Sequence, residues 1–176
     1  MTDTSTNAEL EIELAYLPKR LSPDLLASSP TRIVDMYLST EDDLLTKLRL
    51  RQKGAKYEIT KKVNTDPNDL SLQDEYTIPL TEREFKRLRE AGGREVIKDR
   101  YEVPLGGHTM EIDVFREGLA GLIIIEVEFG SQAERDAFIP PEYFGTDVTQ
   151  EDFIAGVYLA GKSYADIKSH IDRLTL

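Results

Sequence analysis

Cysteine is absent from the 176 residues. That removes disulfides, thiolate nucleophiles and zinc–thiolate sites together, and leaves oxygen ligands and hard cations as the metal chemistry open to the chain. It is also what a cytoplasmic protein shows. Positive charge is scarce as well, with 22 Lys+Arg against 33 Asp+Glu and a net charge of -11. Nonspecific nucleic-acid binding and adsorption to an anionic membrane need the opposite field, so neither partner is expected. Long apolar runs are missing too. The longest, "LAGLIIIEVEF", is broken by Glu126 and Glu128 and falls short of the roughly 18 residues that span a bilayer. The opening "MTDTSTNA" has neither the basic nor the apolar part of a signal peptide. It reads as a disordered tail over residues 1–8, ahead of one domain over 9–176.

What is present is a period of two. Apolar and polar residues alternate over about 9–17, 33–38, 45–52, 55–62, 72–78, 95–103, 109–115 and 122–129, with turn signals "KGAK", "NTDPND", "PLGGHT" and "EGLAG" between them. Helices are fewer. "TEREFKRLREAGG" and "SQAERDAF" begin with capping-box spacings, Thr81 with Glu84 and Ser131 with Glu134. "SPDLLASS" puts Pro23 at a first helical position. "SYADIKSHIDRL" sets Tyr164, Ile167, Ile171 and Leu174 on one stripe, as in a helix packed on the outside of the domain. The apolar "FIPPEYF" reads as a loop over one end of the domain, His108 as a turn residue and His170 as helix surface. Strands joined this closely, with a few helices, predict an α+β protein built on an eight-stranded antiparallel barrel or a strongly curved sheet, and the distribution of charge decides between them in favour of the barrel.

Charge is distributed by face. Residues i and i+2 of a strand point the same way about 7 Å apart. Glu11/Glu13, Glu111/Asp113 and Glu126/Glu128 are therefore acidic neighbours, Lys47/Arg49/Arg51 and Lys98/Arg100 basic ones, and Lys62 shares its face with Thr60 and Glu58. The opposite faces are apolar: Leu10, Ile12, Leu14; Leu48, Leu50; Ile112, Val114; Ile123, Ile125, Val127. "LIIIEVEF" is too hydrophobic for a surface strand, so its glutamates face an enclosed space and need partners there. A barrel with apolar faces outward and charged faces inward meets that need. Carboxylates suit Mg²⁺ or Mn²⁺, and arginine and lysine suit phosphate oxygens. Together they describe a site for a metal-complexed polyphosphate, the metal reversing the field of the carboxylates.

These segments, in this order, resemble the CYTH family of triphosphate tunnel metalloenzymes. "EIELAYL" is similar to the family's Glu-x-Glu-x-Lys, with Glu11 and Glu13 in place but Ala15 at the lysine. "KLRLRQKG" resembles its Arg-x-Arg strand and "YEITKK" its Leu-Thr-x-Lys. "LQDEYTIPL" matches the second of two spaced glutamates with Glu75 and has Gln73 at the first. "VIKDRYEV" and "MEIDVFREGLAGLIIIEVEF" match the Lys-x-Arg and Glu-x-Asp-x-Phe, Gly-Leu, Glu-Val-Glu segments. "DVTQEDFIAGVYLAGK" agrees at Val148, Thr149, Leu159 and Ala160, with Gly156 where the family has asparagine.

The resemblance implies a tunnel with a charged interior and helices packed outside. In it Glu11, Glu13, Asp113, Glu126 and Glu128 hold Mg²⁺ or Mn²⁺, Arg49, Arg51, Lys62, Lys98 and Arg100 bind a triphosphate-containing small molecule, and Tyr37, Glu126 and Glu128 take catalytic roles. It implies metal-dependent hydrolysis of inorganic tripolyphosphate or of an organic triphosphate. The alternatives are a class IV type adenylate cyclase and a noncatalytic triphosphate- or polyphosphate-binding module. The last is motivated by Ala15, because family members that favour tripolyphosphate use a lysine-tyrosine pair. Lys19, Arg20 and Lys162 are the cations to consider as substitutes for the missing one.

Overall fold

The computed structural model describes residues 8–38 and 47–175. Most of the expected N-terminal tail and the first two residues of the third expected strand lie outside them. Eight long strands form: β1 (Glu9–Leu17), β2 (Thr31–Tyr37), β3 (Lys47–Lys53), β4 (Lys56–Asp66), β5 (Asp69–Leu80), β6 (Arg94–Leu105), β7 (His108–Phe115) and β8 (Ile123–Glu128). Every pairing is antiparallel, in the order β5-β4-β3-β2-β6-β7-β8-β1. β1 also pairs with β5, so the sheet closes into a barrel with no free edge among these strands. A two-residue strand, β9 (Thr146–Asp147), adds to the end of β1.

The β4–β5 hairpin is longer than "NTDPND" suggests. Both strands run almost to Pro67-Asn68, and the irregular pairing between Asn64 and Asp66 absorbs the extra residue. Gly54 turns β3 into β4 with φ +59, a left-handed backbone that glycine adopts without strain.

Helices lie outside the barrel: α1 (Glu82–Arg89), α2 (Gln132–Ala137), α3 (Gly156–Leu159) and α4 (Tyr164–Thr175). The capping box of α1 forms as the spacing predicts: Thr81 Oγ1 accepts from the Glu84 amide at 3.3 Å, and Glu84 Oε2 accepts from the Thr81 amide at 2.8 Å. Phe85 of α1 packs with Met36 and Leu50 against the outside of β2 and β3. "SPDLLASS" makes only a single 3₁₀ turn over Pro23–Leu26, because the helix stops at Ala27 once Leu25 and Leu26 have met the apolar outer wall.

"FIPPEYF" does not cover an end of the barrel. Phe138, Tyr143 and Phe144 lie on the flank, packed with Tyr16, Met110 and Phe129 over the outward residues of β1, β7 and β8. His108 sits in that aromatic group beside Phe129 and Phe138. His170 is half-buried on α4 and stacks on Phe153 at 5.1 Å.

The end is closed by the C-terminal segment. Phe153, Val157 and Leu159, with Ile167 of α4, pack with Ala15, Tyr37, Val96, Phe115 and Ile124, the inward residues at that end of their strands. Tyr164, Ile171 and Leu174 complete the expected stripe against this cluster. No helix among the described residues is long and apolar enough to cross a membrane.

Candidate active site

The alternation seen in the sequence decides what faces the axis. A cavity of about 830 Å³ runs inside the barrel, walled by Glu11, Glu13, Arg49, Arg51, Lys62, Lys98, Arg100, Glu126 and Glu128, and reaching Ala15, Tyr37 and Gly156 at its floor. Strand register sets the acidic wall: Glu13 stands opposite Glu128 across β1 and β8, and Glu111 opposite Glu126 across β7 and β8. Carboxylates of adjacent strands thus crowd one side.

Their protonation records the crowding. Burial raises Glu11 to about 7, against the pull of Lys62 and with the push of Glu13 and Glu75. Burial also raises Glu126, where Lys98 and Arg100 oppose it and Asp113 and Glu13 reinforce it; Glu128 is raised by burial and by Glu111 and Glu13. Glu13 goes the other way: burial is outweighed by Lys62, Arg100, Lys47 and Arg49.

The basic wall is held by ion pairs. Arg51 grips Asp35 with two hydrogen bonds, at 2.7 and 2.8 Å. Arg49 donates to Thr60 Oγ1 at 2.8 Å, to Tyr37 Oη at 3.3 Å and to Glu75 Oε2 at 3.4 Å. Lys62 pairs with Glu11 and lies 3.7 Å from Glu13 and 3.8 Å from Glu75. Arg100 donates to both oxygens of Asp113, at 2.7 and 2.6 Å, and to Glu126 at 2.6 Å, and it pairs with Glu111. Lys98 shares Asp113. Buried among these guanidinium and ammonium groups, Asp35 and Asp113 are held well below the usual carboxylate range although burial alone would raise them.

The residues expected at the site are therefore brought together, with one difference in kind. Asp113 is fully buried and stands behind Lys98 and Arg100 rather than on the cavity wall. Tyr37 is buried, and its hydroxyl rests on the backbone of Gly156; a Cβ there would overlap Tyr37 Oη and lie 2.9 Å from Cζ. Lys19, Arg20 and Lys162 do not line the cavity. Sequence reasoning passed over Asp35, and it set Lys47 and Glu111 on the charged faces without giving either a role at the site. The available signal was the face they share with Tyr37, Arg49 and Asp113.

The donor set fits a hard divalent cation. All its candidate ligands are carboxylate oxygens, and Glu11 Oε2 is shut off from solvent without an aligned hydrogen bond, its contact being the ion pair with Lys62. Among the described residues no three acidic or imidazole groups converge on one point. Glu11, Glu13 and Glu126 instead lie against the neighbouring cations Lys62 and Arg100.

An antiparallel barrel closed at one end, with carboxylates on one inner wall and arginines and lysines on the other, defines a triphosphate tunnel architecture. No family model matches the chain. It is 40% identical over 143 residues to a Nitrosomonas europaea protein named inorganic triphosphatase, covering 80% of this chain and 90% of that one. A crystal structure of an inorganic triphosphatase superposes with a TM-score of 0.60 at 34% identity, over 85% of this chain and 93% of that one. A Bacillus halodurans protein proposed to be an adenylate cyclase superposes with a TM-score of 0.58 over 92% of this chain and 97% of that one; its 20% identity carries the fold alone. The chain belongs to the inorganic triphosphatase group of the CYTH-type triphosphate tunnel proteins.

Proposed function

We propose that the protein hydrolyses a triphosphate inside the barrel with the help of a divalent cation, Mg²⁺ or Mn²⁺, and that inorganic tripolyphosphate is its first substrate. The observation that carries this reading is one enclosed cavity in which Glu11, Glu13, Glu126 and Glu128 face Arg49, Arg51, Lys62, Lys98 and Arg100. The Nitrosomonas europaea relative's name supports the choice of substrate.

The basic wall binds the nonbridging phosphate oxygens and draws the chain of phosphates into the barrel, the guanidinium groups giving paired hydrogen bonds. Hydrolysis forms one bond from water oxygen to the terminal phosphorus and breaks the bridging P–O bond; diphosphate leaves with the electron pair. Arg49, Arg51 and Arg100 line the cavity, so each meets the charge of the transferred group by exchanging a carboxylate contact for a phosphate oxygen. Glu11, Glu13, Glu126 and Glu128 would hold the cation, which when bound screens phosphate charge and makes a water nucleophilic. Asp113 we assign to orienting Lys98 and Arg100. Tyr37 we assign to holding Arg49 through its hydroxyl.

Phosphate release from tripolyphosphate with Mg²⁺ or Mn²⁺ tests the reading. Glu126→Gln is expected to lower turnover at least about 100-fold, as loss of a charged group acting only in the transition state does. Absence of release from tripolyphosphate and from nucleoside and thiamine triphosphates with either metal overturns it.

A further inference from the structure

Lys47 is a half-buried cation of the cavity that, among the described residues, has no carboxylate within ion-pair distance. It points inward from β3 two residues before Arg49 and lines the cavity. Arg49, Arg51, Lys62, Lys98 and Arg100 each pair with Asp or Glu, whereas Lys47 has no ion pair among the described residues. Its ammonium donates to two neutral oxygens instead, Gln73 Oε1 at 2.7 Å and Asn64 Oδ1 at 3.1 Å. An ammonium has three protons to give, and among the described residues the third has no acceptor.

The surroundings keep it this way. Gln73 Nε2 donates to Glu13 Oε1 at 2.9 Å and to the Leu70 carbonyl at 3.3 Å, which fixes the amide so that its oxygen faces Lys47. A glutamate at this position would pair with the ammonium directly; the amide holds it instead, and Glu13 and Asp152 act on its charge only from beyond ion-pair distance. Across the sheet Lys47 is in register with Lys62, and like charges directly opposite on one face repel. Burial and the Lys62 charge lower the Lys47 pKa, against the pull of Glu13 and Asp152. Two facing lysines inside a barrel are a stable arrangement when an anion joins them.

We propose that Lys47, held by Asn64 and Gln73, is an additional phosphate-binding residue of this cavity and supplies the positive charge missing at Ala15. The proposal rests on the reading of the cavity as a triphosphate site. An incoming phosphate oxygen accepts a hydrogen bond from the third N–H of Lys47 without displacing a carboxylate, while at Arg49, Arg51, Lys62 and Arg100 it competes with one. Lys47, Arg49 and Lys62 together make a cationic corner on the side of the cavity facing the β4–β5 hairpin.

Calorimetric titration of the full-length protein with inorganic tripolyphosphate, in EDTA so that no turnover occurs, tests the proposal beside steady-state phosphate release. Lys47→Met is expected to weaken binding about 10- to 100-fold, the worth of one hydrogen bond to a charged group. Where turnover is measurable, KM should rise and kcat stay nearly constant, because the contact is made in the ground state and the transition state alike. Lys47→Arg keeps the charge and should bind within about threefold of the wild type. The melting temperature without ligand should not fall in Lys47→Met, since the facing Lys62 is relieved; a merely structural lysine would give the reverse.

Wild-type affinity retained in Lys47→Met overturns the proposal and leaves the hydrolase reading standing. Binding that depends on Lys47 but is followed by no hydrolysis with any metal overturns the hydrolase reading and leaves Lys47 in place. No binding to the wild type overturns both.

Discussion

Ala15 and Gly156, two small residues at the floor of the cavity, stand where the family pattern that the sequence resembles has a lysine and an asparagine. Ala15 lies among Tyr37, Val96, Phe115, Ile124 and Val157, so an ammonium placed there has apolar neighbours and only the cavity to turn to. Ala15→Lys is expected to lower the ligand-free melting temperature by several degrees or more, for an enclosed unpaired charge costs more than the roughly 1–3 kcal/mol of a neutral polar group left without a partner. Tripolyphosphate should recover that loss, and a scan with and without ligand reads both. Gly156 makes room for the Tyr37 hydroxyl. Gly156→Ala should destabilise the protein by about 1–3 kcal/mol through overpacking, and Tyr37→Phe in the same chain should return part of it, a coupling that chemical denaturation of the four variants measures.

At the scale of elements, the helices owe their positions to a few contacts. Thr81 and Glu84 fix the start of α1, and Phe85 fixes its face on β2 and β3. Thr81→Ala is expected to cost about 1 kcal/mol, the usual worth of an N-cap. It should leave tripolyphosphate turnover unchanged, because α1 lies outside the barrel; thermal melts and a phosphate assay check the two halves. These caps were legible in the sequence because a capping box spans only four residues. The 3₁₀ turn at Pro23–Leu26 was not, since the same Ser-Pro start serves a full helix or a single turn and the outer wall decided between them.

The whole molecule is tied across its closed end by contacts between segments far apart in the chain. Asp69 at the tip of the β4–β5 hairpin accepts from Ser71, from Gln150 at 3.0 Å and from Arg135 at 2.9 Å. Burial works against its ionised form, yet these hydrogen bonds hold its pKa down to about 2. A carboxylate depressed on folding stabilises the fold above its unfolded pKa and loses that contribution as pH falls through the folded one. The Asp69 contribution should thus disappear between about pH 4 and pH 2. Asp69→Asn should flatten the fall in melting temperature over that range, and an unchanged slope would remove Asp69 from the account.

The sequence by itself determined which residues face the axis. A strand's alternation is local, so Glu11, Glu13, Arg49, Arg51, Lys62, Lys98, Arg100, Glu126 and Glu128 could be assigned inward before any pairing was known, and the barrel followed from eight such strands. Only the tertiary structure decided which inward groups meet. That Asp113 stands behind Lys98 and Arg100 while Lys47 meets two amides follows from register between strands, as does the pairing of Lys47 with Lys62. Closure of one end by Phe153, Val157 and Ile167 brings together residues more than a hundred positions from the Ala15 they cover. The strand pattern carries the sign of the charge on each face; the partner that holds, neutralises or leaves free each charge is set by segments its own neighbours in sequence never touch.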